Sequence, residues 1–148
     1  SPRLEKNWTL LQISLLPLVY AWVFGLFMTT PSSVRDWSNP IFWWYVAFVP
    51  LGEEWLFRGW MYALIERLWP RRCASFTNPL PLAIWLSSLA FALWHVQNLP
   101  QEGLAYTSFQ VFYTFLTGIW LGYLRWKSGG VAFGMLMHSL INTLAIVS

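Results

Sequence analysis

Charge is scarce in this sequence: 10% of its 148 residues are Asp, Glu, Lys or Arg, against 57% that are hydrophobic. A soluble domain of this length leaves much of its surface in water and could not hide that much apolar area. The single cysteine, Cys73, excludes an internal disulfide and has no companion for a cysteine-based metal site, so it is expected to be a bystander in a polar loop. The single aspartate, Asp36, excludes a paired-aspartate protease. Neither His95 nor His138 is followed by glutamate, which removes the His-Glu-x-x-His zinc helix. Ser128-Gly129-Gly130 is a poor match to a serine nucleophile turn. The nine Lys and Arg are neither clustered nor interleaved with aromatics, so no nucleic acid is expected as a partner. There is no internal repeat and no low-complexity run.

What is present is apolar sequence in long segments. Five stand out, at residues 10–28, 41–68, 82–96, 106–123 and 131–147, each near the roughly 20 residues a helix needs to cross a bilayer. The first is too long for a signal-peptide core and lacks a small-residue cleavage site, so it reads as a retained helix with Pro17 as a kink. In the second, Pro50 and Gly52 predict a break or bend just before Glu53. Turn chemistry separates the segments at 30–33, 78–81, 98–103 and 128–130. Trp37, Trp43, Trp44, Trp69 and Trp126 lie near segment ends, where an aromatic belt belongs. With five crossings, Arg3, Lys6, Arg67, Arg71, Arg72, Arg125 and Lys127 share one side of the bilayer and Arg35 stands alone on the other. That asymmetry places the amino terminus in the cytoplasm. The expectation is an all-α, polytopic membrane helix bundle of about five transmembrane helices, a single domain over residues 1–148.

Within these segments the ionisable residues are Glu53, Glu54, Arg58, His95 and His138, and a charge at membrane depth marks function unless it is paired. On a helix, Glu54 and Arg58 lie about 40° apart, and Glu53 and Arg58 about 140° apart. Arg58 is therefore expected to pair with Glu54, leaving Glu53 to face elsewhere as a candidate general base. The competing reading is one structural ion network of all three. His95 follows Phe91 by four residues and shares its helix face; alone, it reads more readily as a satisfied interfacial residue than as a catalyst. Gly130, Gly134, His138 and Asn142 recur every four residues as a small, polar strip. That strip serves either catalysis or an interhelical hydrogen-bond clamp. Gly118 and Gly122 read as packing only. A carboxylate, two imidazoles and an amide at membrane depth suit water activation and oxyanion stabilisation, the requirements of peptide hydrolysis.

In order along the chain, Glu53-Glu54-x-x-x-Arg58 (continuing Phe57-Arg58-Gly59), Phe91-x-x-x-His95 and His138-x-x-x-Asn142 resemble the three motifs of the CPBP family. These are the CAAX-processing and bacteriocin-processing (Abi) glutamic intramembrane endopeptidases. The resemblance covers residues 50–147. It implies that Glu53 with His95 activates water, that His138 and Asn142 stabilise the oxyanion, and that Glu54 and Arg58 support the site. It implies no metal; zinc on Glu53, His95 and His138 is the alternative, a chemically reasonable three-ligand open site. It also implies a minimal bacterial member, multi-pass in the inner membrane, acting on a membrane-bound protein or peptide such as a carboxy-terminal sorting tail or a prenyl or bacteriocin-type substrate. Two other classes compete: a non-catalytic membrane adaptor or immunity factor holding a partner helix, and a small proton-coupled carrier, which the missing two-fold repeat disfavours.

Overall fold

The computed structural model of the chain describes residue 19 and residues 32–70, 73–75 and 78–147. The segment predicted at 10–28 lies outside the described residues apart from Val19. Two compact units form, one of residues 1–52 with 135–148, the other of residues 53–134.

In the first unit, α1 (Ser32–Arg35) leads into a turn built on short polar side chains. The Asp36 carboxylate accepts from the Ser38 N–H at 2.9 Å and the Ser38 hydroxyl at 2.7 Å. These bonds hold the exposed Asp36 carboxyl below its ordinary value. Asn39 then caps α2 (Pro40–Trp43), its side-chain oxygen accepting from the Ile41 N–H at 3.0 Å. Pro40 occupies the first turn, where no N–H is required. A π-helical turn (Trp44–Phe48) and α3 (Val49–Glu54) follow. Of the break or bend predicted at Pro50 and Gly52, the break is absent, because both residues lie inside α3. Proline in a helix lacks an N–H and crowds the carbonyl four residues back, and a π-turn immediately ahead re-spaces that backbone. Most of α7 (Ala132–Val147) completes this unit.

The second unit runs through a second π-turn (Trp55–Met61), α4 (Tyr62–Leu68) and an antiparallel ribbon of β1 (Cys73–Ser75) with β2 (Asn78–Pro81). Then come α5 (Leu82–Trp94), a 3-10 turn (His95–Asn98) and α6 (Leu99–Ser128). Two expectations change here. The polar loop around Cys73 and the turn at 78–81 are a two-stranded ribbon, which Pro79 and Pro81 tolerate because an edge strand can omit donors. The loop at 98–103 is largely helical, since Pro100 fits a first helical turn. Only Gly103 departs, at φ 79 and ψ 168, a conformation that is essentially glycine's alone.

The packing of α5 is inverted relative to a soluble helix. Its buried residues are Ala83, Ile84, Ser87, Ser88, Phe91 and Ala92, while Leu86, Leu89 and Leu93 are exposed. On α6, Thr107, Thr114, Thr117, Gly118 and Gly122 are inward together with Trp120, Leu121 and Leu124, while Phe109, Phe112 and Leu116 are outward. Small and hydroxylated residues on the buried face, with large apolar side chains also on the exposed one, is the pattern of helices that pack within lipid. The Ser87 and Ser88 hydroxyls return to the Ile84 carbonyl at 3.3 and 2.6 Å, satisfying themselves locally. A β-carbon added at Gly122 would sit 3.0 Å from Ile84, and one at Gly118 would sit 3.0 Å from Ser88. The two helices therefore approach as closely as glycine permits. Tyr62, Ile65, Ala83 and Ile84 form the core beneath, flanked by Met61, Leu80 and Ile119. Among the described residues, one helical stretch, Leu82–Ser128, is long and apolar enough to cross a membrane, and Ala132–Val147 is a shorter apolar helix. The predicted segment 41–68 is divided by the π-turns into shorter elements, so a count of five crossings is not visible among the described residues.

Candidate active site

Three elements of the second unit bring two of the motifs together. The second π-turn carries Phe57 and Arg58 onto α5, where Phe57 meets Phe91 at 5.3 Å between centroids and Trp94 at 6.3 Å. Arg58 Nη1 lies 3.2 Å from Glu54 Oε1, and both side chains are fully buried. The pairing expected from the i, i+4 spacing is thus the pairing present. Among the described residues none of the guanidinium nitrogens makes a hydrogen bond. The contact with Glu54 is Coulombic rather than an aligned hydrogen bond. Two aromatic rings also face the cation, with Cζ 4.2 Å from the centroid of Phe91 and 6.0 Å from that of Phe57. A ring face attracts a desolvated cation by about 2 kcal/mol.

Phe91 also serves His95. Its ring meets the imidazole edge-on at 5.0 Å, and its carbonyl lies 2.9 Å from Nδ1. A carbonyl only accepts, so Nδ1 carries the proton and the neutral ring has its lone pair on Nε2. That is the tautomer able to take a proton from water at Nε2. Asn98, in the 3-10 turn that starts at His95, donates to Gln110 Oε1 at 2.9 Å, tying this turn to α6 across the Gly103 kink. Glu53, half-buried, ends α3 beside Glu54.

The third motif lies on α7 in the first unit. His138 is buried, and one turn later Asn142 Nδ2 donates to the Tyr45 carbonyl at 2.9 Å. That bond is what the clamp reading of the strip requires, and it engages one of the two amide hydrogens. Among the described residues, no three His, Cys, Asp or Glu side chains are grouped as metal ligands.

The sequence carries all three motifs in order, and the family model of type II CAAX prenyl endopeptidases, Rce1-like, matches residues 35–144. The chain belongs to this family. Its members lie within the CPBP group and are integral membrane proteases, hydrolases that act on membrane-associated proteins. Family membership implies CAAX-type intramembrane endopeptidase activity. No curated protein and no solved structure matches the chain.

Three residues around the ion pair were not singled out from sequence as serving it. A β-carbon at Gly118 would come within 3.0 Å of Arg58 Nη2 as well as of Ser88, so this glycine makes room for the guanidinium as well as for a helix. One at Gly134 would come within 3.0 Å of Glu54 Oε2. Arg125, counted above only for its charge, donates from Nε to the Arg58 carbonyl at 3.2 Å. The four-residue spacing of Gly118 and Gly122 and of Gly134 and His138 was the available signal. Which side chain each glycine faces depends on tertiary packing.

Proposed function

We propose that this chain is a glutamate-dependent intramembrane endopeptidase, one domain crossing a bacterial inner membrane about five times with its amino terminus in the cytoplasm. Glu53, aided by His95, removes a proton from water. The hydroxide attacks the scissile carbonyl carbon of a membrane-associated peptide, and His138 and Asn142 donate hydrogen bonds to the oxyanion. The C–N bond then breaks, and the proton held by Glu53 passes to the leaving amine. Glu54 and Arg58 support the site. The substrate is a membrane-anchored peptide with its cleavage site near a lipidated or sorting carboxy-terminal tail.

One observation supports this reading above the others: a fully buried Arg58 pairs with Glu54, next to Glu53, and packs on the same phenylalanine as His95. We read the reaction as metal-free. In liposomes, cleavage of a prenylated peptide by the wild-type chain is expected to survive a chelator and to be lost in His95→Ala. Loss with the chelator and recovery on adding zinc would overturn the metal-free reading.

A further inference from the structure

Both π-turns abandon one backbone carbonyl, and in each case a side chain from a distant helix takes it up. In an α-helix the N–H of Tyr62 would bond to the carbonyl of Arg58, four residues back. Here it bonds to the carbonyls of Phe57 and Gly59 instead. The skipped Arg58 carbonyl receives Arg125 Nε at 3.2 Å from α6, 67 residues away. In the other turn Val49 donates to Trp44 rather than to Tyr45, and the Tyr45 carbonyl receives Asn142. A carbonyl left without a partner in a lipid-facing helix bundle is costly. A remote donor on that carbonyl therefore favours the π register over the α register.

We propose that Arg125 is a positioning residue: its bond to the Arg58 carbonyl fixes the π register of Trp55–Met61 and thereby the aim of the Arg58 side chain at Glu54. Its guanidinium is itself braced, lying 5.4 Å from the centroid of Tyr62, whose hydroxyl donates to Glu66 Oε1 at 3.2 Å. Gly129, left-handed at φ 77, returns its N–H to the Arg125 carbonyl and ends α6 one turn beyond. The donor is therefore held at both its backbone and its side chain. Arg125 touches neither carboxylate in this account and acts through Arg58.

The test separates the hydrogen bond from the charge. Glutamine places an amide nitrogen where arginine has Nε, whereas methionine has similar length and no donor. Hydrogen exchange of the amides of residues 59–63 is compared in the wild-type chain, Arg125→Gln and Arg125→Met, with α5 as internal reference. Arg125→Met is expected to speed exchange there by about tenfold and Arg125→Gln to stay within about threefold of wild type. The kinetic arm rests on the endopeptidase reading: kcat of Arg125→Met falls about tenfold with KM within about twofold, and Arg125→Gln recovers most of it. Equal exchange in the two variants overturns the proposal. A wild-type chain without cleavage of any lipidated peptide overturns the function reading alone, because the exchange comparison still decides the role of Arg125.

Discussion

At the scale of single residues, the buried pair of Glu54 and Arg58 dominates. Removing one member leaves the other's charge in an apolar interior, which costs about 3–5 kcal/mol, whereas removing both costs much less. Glu54→Gln and Arg58→Met are each expected to lower the thermal unfolding midpoint in detergent sharply, and the double variant to be more stable than either. Midpoints for the single variants equal to wild type would contradict the pairing. Gly134→Ala places a methyl group 3.0 Å from the Glu54 carboxylate and is expected to destabilise by about 1–3 kcal/mol. The i, i+4 arithmetic made the Glu54–Arg58 pair and the Phe91–His95 contact legible in the sequence, because both are local to a helix. Gly118, Gly134 and Arg125 were not legible in these roles. Their partners lie on other elements, and one-dimensional spacing does not encode which side chain a helix meets.

At the scale of elements, the π-turns are what sequence periodicity could not supply. Each π-turn shifts the helical repeat over only a turn or so, too short a stretch for periodicity to register, and Pro50 and Gly52 read as a break or bend where the structure keeps a helix. The kink at Gly103 was legible only as part of a longer loop, although the chain is helical again from Leu99. The left-handed backbone at Gly103 has open space around it, so Gly103→Ala tests conformation alone. About 1–3 kcal/mol of destabilisation is expected, read as a lower unfolding midpoint; an unchanged midpoint would mean the kink relaxes freely. The Asp36 turn gives a pH-dependent element. Because its carboxyl is held low in the folded chain, its contribution is present above the ordinary carboxylate range and is lost as pH falls through the lowered value. Amide exchange at Ser38 is expected to accelerate on acidification in wild type and to be pH-insensitive, beyond intrinsic chemistry, in Asp36→Asn.

At the scale of the whole molecule, composition alone indicated a helical membrane protein, and the exposed apolar side chains of α5 and α6 agree with it. Topology is the quantity still to be read. Reporter fusions after residues 33 and 148 are expected to report the extracytoplasmic side, and fusions after residues 75 and 129 the cytoplasm; the opposite pattern would reverse the orientation argued from Lys and Arg. The account's central claim is chemical: Glu53 is the base that turns water into the nucleophile. Its most direct test is the cleavage rate of a membrane-tethered, lipidated peptide by Glu53→Gln beside the wild-type chain, both shown folded by their unfolding midpoints. A loss of three or more orders of magnitude, on the order expected for removing a positioned general base, with a near wild-type midpoint, is the predicted result. Processing at the wild-type rate by Glu53→Gln would contradict the account.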